Sequence, residues 1–294
     1  MGKHRIAVVT DSSAYIPESA LEGLNISVIP LWLIWGNERF RDGVDIDPPT
    51  FYRRLKEART LPTSSQPSPG EFAALFRELA AEADAIVSVL ASSGISGTVA
   101  SARAAQAQMP ELAIRVVDSY FCSMGQGLVV LAAARAAAAG KPLDGVVAAA
   151  EEMREKVHFL FVVDTLEFLR RGGRISGAKQ VVGTILQIKP ILHFQEGQIR
   201  SLTQARTKRK AIARILEIAE ERLAGKGMAE AAIVDIDSPG EGDAVAEMVV
   251  ERFGVPVVHR STVSPVVGTH VGPGAIGIAF YCSAGAGTEA EAGL

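Results

Sequence analysis

The sequence predicts an α/β protein of two domains, with a parallel sheet in the N-terminal half and a mixed α/β sheet in the C-terminal half. In the first half, short apolar runs alternate with helical patterns, which is the signature of βαβ units. In the second half the rhythm changes. Two apolar runs, 190–194 and 198–202, flank Gln195-Glu196-Gly197, and that spacing reads as a hairpin. A chain of 294 residues also suits two domains of about 100–150 residues each.

Taken in order, residues 6–9 form an apolar run that ends in Thr10-Asp11-Ser12-Ser13 and reads as a first strand. A helix is expected over 17–24 and a second strand over 27–32. Helices follow over 48–58 and 69–83. The second has Ser68 as cap, Pro69 at its first position and Glu71 three residues on, a capping box. Strands at 85–90 and 114–117 bracket a helix over 97–108, with Ser96 as its N-cap. Helices over 124–139 and 143–155 complete the first domain, 1–156. The second domain, 157–283, begins with an apolar, aromatic strand at 158–163 and a short helix at 165–171, stopped by Gly172-Gly173. A helix is expected over 177–186, then the hairpin, then a long amphipathic helix over 208–223. Strands at 231–235, 256–259 and 275–281 and a helix at 242–253 close the domain. Residues 284–294 are low in complexity and read as a disordered tail.

Composition excludes several classes. The formal net charge of −3 lacks the basic excess of a general nucleic-acid binder. Cys122 and Cys282 lie too far apart for zinc-ligand spacing and form no disulfide framework, so buried free thiols are expected. No secretory leader is visible at the start, and no uncharged run reaches the ~20 apolar residues of a membrane span. A cytoplasmic protein without stable membrane insertion is therefore expected. There is no Walker loop, no Gly-x-Ser-x-Gly elbow, no His-Glu-x-x-His pair and no Cys-x-x-Cys, so neither a metal nor a cofactor is implied.

Five polar features stand out. Three strand ends are polar: Thr10 to Ser13, Ser92-Ser93 and Asp118-Ser119. In a parallel sheet, ligands bind outside the carboxyl ends of the strands. Ser96 and Gly97 open a helix whose free N–H groups form an anion site, unless the motif is a simple cap. Thr63, Ser64 and Ser65 sit in a Pro-braced segment, either to hold a carboxylate or phosphate or as a solvated linker. Arg170 and Arg171 suit a helix C-terminus, whereas Arg174 lies past the helix stop. His270 sits between Pro265, Gly268, Gly272, Pro273 and Gly274, which reads as a rigid turn. Ser64 or Ser96 with His270 as base leaves a second reading open, a stand-alone acyl hydrolase or transferase.

In this order, these segments resemble the DegV family of bacterial fatty-acid-binding proteins, over residues 6–281. The supports include Arg41-Asp42-Gly43-Val44, Ser64-Ser65-Gln66-Pro67-Ser68, Ser92 to Thr98, Thr165 to Ser176, Lys189-Pro190-Ile191-Leu192 and the His270 segment. The resemblance implies a ligand between the two domains: one long-chain fatty acid, with its carboxylate at Ser64, Ser96, Gly97, Arg206 and His270. It implies that Arg174 lies at the surface, facing a partner. That partner would be a fatty acid kinase, which supplies ATP and metal and phosphorylates the carboxylate, so this chain would be a non-catalytic subunit. Two positions depart from the family pattern: Ser64 where a Thr is usual, and Tyr15 where an Asp is usual.

Overall fold

The computed structural model describes residues 5–175 and 188–283. The first half runs β1 (Ile6–Asp11), β2 (Ile26–Ile29), β3 (Trp32–Trp35), β4 (Glu38–Arg41), α1 (Pro48–Glu57), β5 (Thr63–Ser65), α2 (Pro69–Ala80), β6 (Ala85–Leu90), α3 (Thr98–Ala107), β7 (Ile114–Asp118), α4 (Ser123–Ala138) and α5 (Leu143–Lys156). The second half runs β8 (His158–Val162), α6 (Glu167–Arg171), β9 (Lys189–Gln195), β10 (Gln198–Ala205), α7 (Lys208–Leu223), β11 (Met228–Asp235), α8 (Pro239–Phe253), β12 (Val258–Thr262), α9 (Pro265–Val271) and β13 (Ile276–Cys282).

The first half builds a four-stranded parallel sheet in the order β2-β1-β6-β7. Strands β1 and β6 are buried along their whole length, as central strands covered on both faces must be. On one face, Phe72 and Phe76 of α2 and Ala102 and Ala105 of α3 pack on Val9, Ile86 and Leu90. On the other face lies α4, which is apolar nearly all round, as a helix enclosed on every side should be. Its Leu128 and Leu131 share one cluster with Phe159, Phe161, Phe194 and Val234 of the second half.

Those residues belong to a six-stranded mixed sheet, β10-β9-β8-β13-β11-β12, in which only the β11–β12 pair is parallel. The strand period of two divides its faces. Phe159 and Phe161 of β8 point toward α4, while Leu160 and Val162 join α7 and α8. A second link crosses the middle. Arg135 of α4 forks onto Glu230 of β11, which also accepts from Tyr281 and contacts His259 Nε2 at 2.6 Å. Burial acts to raise the Glu230 pKa, but these partners outweigh it and hold the carboxyl well below its usual range.

Four expectations are corrected. The single strand at 27–32 is two strands in different sheets, because Pro30 lacks the N–H to continue a ladder. Strand β3 instead pairs with β4 and β5 in a small antiparallel sheet, so Thr63, Ser64 and Ser65 are strand rather than loop. The helix at 17–24 shrinks to one 3-10 turn, Glu18–Ala20. The His270 segment is not a turn but the seven-residue helix α9, opened by Pro265 and capped by Ser264 Oγ, which accepts from the Val267 N–H. The helix expected at 177–186 and the tail at 284–294 lie outside the described residues. No helix among the described residues is long and apolar enough to cross a membrane.

Candidate functional site

The polar strand ends mostly bind one another. Asp11 ends β1 fully buried, and it accepts from the Ala91 N–H at 2.7 Å, from Ser13 and from Gln126. Burial raises its pKa. Ser12 Oγ donates to Asp42, and Asp118 accepts from the backbone of Ser93 and Tyr120. These groups tie loops to the sheet; of the first cluster, Ser13 lines the cavity beside them.

That cavity is polar at one end, where it is lined by Ser13, Ser64, Gln66, Ser96, Arg174 and His270 and holds about 580 Å³ of empty space, mouth included. It continues past Cys122, Ile199, Val267 and Val271 into an apolar part of about 380 Å³, walled by Phe159, Phe161, Phe194, Ile236 and Ala275.

Two elements meet at the polar end. Strand β5 presents Ser64, and the last turn of α9 presents His270; Ser64 Oγ and His270 Nε2 are 2.6 Å apart. Helix α9 is held at its start by Asp42, which accepts from the Val266 N–H. Burial and, secondarily, the Arg174 cation push the His270 pKa down to about 4, so the ring is neutral at pH 7. Its Nδ1 is buried without a partner among the described residues and abuts Gly172, where an added Cβ would lie 2.2 Å from it. The φ of Gly172 is −72°, so alanine is sterically allowed in the backbone. Gly172→Ala should therefore keep the fold but displace His270, weakening ligand binding by about tenfold, the loss of one hydrogen bond plus strain. Unchanged affinity, measured by titration with the ligand proposed below, would show that His270 is dispensable.

Arg174 is placed differently from the expectation of a surface residue facing a partner. Gly173, at φ 71°, turns the chain back. The side chain is then half-buried and drawn inward by two carbonyls: Nε donates to Ile95 O at 3.1 Å and Nη1 donates to Gly172 O. Those are its hydrogen bonds among the described residues, and the guanidinium lines the cavity.

Ser96 lines the cavity, but it is not the N-cap of α3; that position is Gly97. Ser96 Oγ contacts Thr98 Oγ1 at 2.7 Å and accepts weakly from the Thr98 N–H. The close approach at Gly97 is made by Gln66, since an added Cβ would lie 2.8 Å from its Nε2. Gln66 thus brings its amide into the polar end, a role that sequence reasoning missed; its place beside Ser64 on the Ser-Ser-Gln-Pro segment was the available signal. Arg206 is exposed and lines neither part of the cavity. Ile199, near the start of strand β10, does line it, whereas Arg206 lies just past that strand's far end at Ala205, roughly 20 Å further along the chain. Tyr15 is half-buried against Gly43 and also lies outside the lining.

The arrangement suits one small anion with an apolar tail: a guanidinium cation, the hydroxyls of Ser13, Ser64 and Ser96, an amide and a neutral imidazole line one end, beside an apolar chamber. Residues 5–283 match the model of a family described as "Uncharacterised protein, DegV family". Protein DegV of Bacillus subtilis is 39% identical over 278 residues, covering 94% of this chain and 98% of that one. The solved structure of DegV from Bacillus subtilis, described as a fatty acid binding protein, superposes with a TM-score of 0.87 at 37% identity, covering 95% of this chain and all of that one. A DegV family protein from Thermus thermophilus, described for its fatty acid binding, gives the same TM-score of 0.87 at 34% identity, with 95% and 100% coverage. On sequence and on fold, nearly end to end, this chain belongs to the DegV family.

Proposed function

We propose that this protein binds one long-chain fatty acid, with its carboxylate among Ser64, Gln66, Ser96, Arg174 and His270 and its acyl chain in the apolar chamber. One observation carries the reading: a cationic, hydroxyl-lined pocket adjoins, across the shared walls of Cys122, Ile199, Val267 and Val271, a second pocket walled by Phe, Val and Ile side chains. Each buried methylene contributes roughly 0.8 kcal/mol, so about ten methylenes offer ~8 kcal/mol before binding costs. The charge-assisted contacts at the head group add to this and make micromolar or tighter affinity reasonable. The fatty acid binding described for the two relatives supports the same class.

The finer part of the proposal is that the protein presents the acid to a cytoplasmic fatty acid kinase. The partner supplies ATP, and its γ-phosphoryl group passes to a carboxylate oxygen. Arg174 lines the polar end of the cavity with a cation suited to phosphate charge, which supports this step, as does the family resemblance. The hydrolase reading draws on the short Ser64–His270 contact. It lacks the third group, because His270 Nδ1 meets Gly172 rather than a carboxylate among the described residues.

Mass spectrometry of denatured protein purified from a bacterial host tests the first step. A released, intact long-chain fatty acid is expected. Finding no lipid, together with no thermal shift on adding one, would sink the binding reading, and a covalent acyl-serine would favour the hydrolase. Phosphate transfer from ATP to the bound acid, assayed with and without a candidate kinase, tests presentation.

A further inference from the structure

The sheet that walls the acyl chamber has a second face. Side chains alternate along its strands, so each wall residue has a neighbour pointing the other way. Phe159, Phe194 and Ile199 line the chamber. Their neighbours His158, His193 and Arg200 stand on the α7 side, with Leu160 and Ile191. Arg200 is paired with His193 across β10 and β9, and His193 is paired with Leu160, the β8 residue next but one to His158. Arg222, in the last turn of α7, completes the group: its Nη2 lies 3.3 Å from His193 Nδ1.

Two guanidinium groups and two imidazoles thus converge without an acid. Of the half-buried arginines among the described residues, Arg54, Arg154, Arg214 and Arg260 pair with carboxylates, and Arg174 lines the fatty-acid cavity. Arg200 and Arg222 do neither. Arg200 donates to Gln198 Oε1, and Arg222 meets only the histidine through its side chain. Glu221, beside Arg222 in sequence, is bridged to Arg214. The negative end of α7 accounts for one cation but not for a second on β10. Arg200 Nε is buried without a partner, whereas its Nη1, the Nε and Nη1 of Arg222, His193 Nε2 and both ring nitrogens of His158 are unbonded and open to solvent. Both histidines are held below the usual imidazole range, His158 at about 4, by burial first and then by the arginine charge.

We propose that Arg200, Arg222, His158 and His193 form a second ligand site, for a phosphate dianion, on the sheet face opposite the acyl chamber. The guanidinium groups offer several N–H donors to its oxygens, and each neutral imidazole offers one more. A carboxylate carries less charge and fewer acceptor oxygens, so it satisfies the group less well. The inference does not depend on the fatty-acid reading.

The test is titration of the full chain with inorganic phosphate at constant ionic strength, with chloride and acetate as controls, followed by imidazole NMR. The His158 and His193 signals, assigned with His158→Gln and His193→Gln, should shift saturably with a midpoint of about 1 mM or below. Both pKa values should rise, because the bound anion offsets the arginines. Arg200→Gln and Arg222→Gln should each weaken binding roughly tenfold or more, while octadecanoic acid binds as it does to the wild type. Arg200→Lys and Arg222→Lys, which keep the charge but lose the fork, serve where a glutamine variant fails to fold; each should still bind phosphate more weakly. Glycerol 3-phosphate and ADP identify the source. Displacement of phosphate by either at lower concentration assigns the site to the phosphate of a larger molecule, and its absence to free phosphate. If no saturable shift appears, if chloride or acetate shifts the signals equally, or if the response survives both arginine substitutions, the inference is wrong. It is also overturned if phosphate binds only after Glu289→Gln and Glu291→Gln, since this chain's own carboxylates would then be the partners.

Discussion

Arg174→Ala is expected to weaken long-chain fatty-acid binding by roughly 10- to 150-fold, with little change in thermal stability. The side chain is anchored to the carbonyls of Ile95 and Gly172 and lines the polar end of the cavity. A hydrogen bond to a charged group is worth about 1.5–3 kcal/mol, which sets the range. The two freed carbonyls sit beside a half-exposed position and can be rehydrated, so the fold should persist. A surface role facing a partner would instead leave lipid affinity intact and impair only transfer by a kinase. Arg206→Ala is the control: exposed and outside the lining, it should change affinity less than twofold. Equal losses from the two variants, measured by calorimetric titration, would mean that the head group lies elsewhere. A spectroscopic check is independent. Because Arg174 helps to depress His270, its removal should let the imidazole titrate at higher pH, visible by NMR.

Much of the fold was legible because its signals are local. The apolar runs that became β1, β6 and β7 needed only hydrophobicity and flanking polar residues. The Ser68–Glu71 capping box was readable from spacing and forms both reciprocal bonds. The errors have local causes too. Pro30 should have split the run at 27–32, and Gly36-Asn37 between two apolar-aromatic segments is a hairpin signal that passed unread. In the His270 segment, the density of Gly and Pro masked a helix start, although Ser264-Pro265 has the cap-then-proline pattern.

The site was legible only as a set of residues, not as an arrangement. Ser64 and His270 meet across 206 positions, and Arg174 reaches the carbonyl of Ile95 across 79. No spacing rule carries such contacts. They depend on how β5, α3, α6 and α9 pack around one chamber. The resemblance grouped Ser64, Ser96 and His270, which do line a common cavity, together with Arg206, which does not. The role of Asp42 was invisible for the same reason, since its partner on α9 lies 224 positions away.

Asp42→Asn should become progressively more stabilising, relative to the wild type, as pH rises from about 4.5 to 8. Asp42 is buried, and burial pushes its pKa from 3.8 up to about 7, aided by the nearby charge of Asp11. Hydrogen bonds from Ser12, Val266 and Ser264 oppose the shift, as does the start of α9, but α9 has only seven residues and a weak dipole. A raised folded-state pKa means that the folded protein holds a proton the unfolded chain has already lost. The resulting stability is fully present below 3.8 and disappears as pH climbs through about 7. The asparagine variant keeps an oxygen acceptor for the Val266 N–H and cannot ionise, so it escapes this loss. The gap between the two proteins should widen by about 2–4 kcal/mol across the window, at 1.36 kcal/mol per unit of pKa shift. His270 pulls the other way: its depressed pKa gives stability present above 6.5 and lost as pH falls through about 4. That contribution is common to both proteins and cancels in their difference. Urea unfolding of wild type and variant at several pH values measures the gap directly. A difference that stays flat from pH 4.5 to 8 would mean that Asp42 is ionised throughout, and that the N-terminus of the helix carrying His270 is held by a charge rather than by a protonated acid.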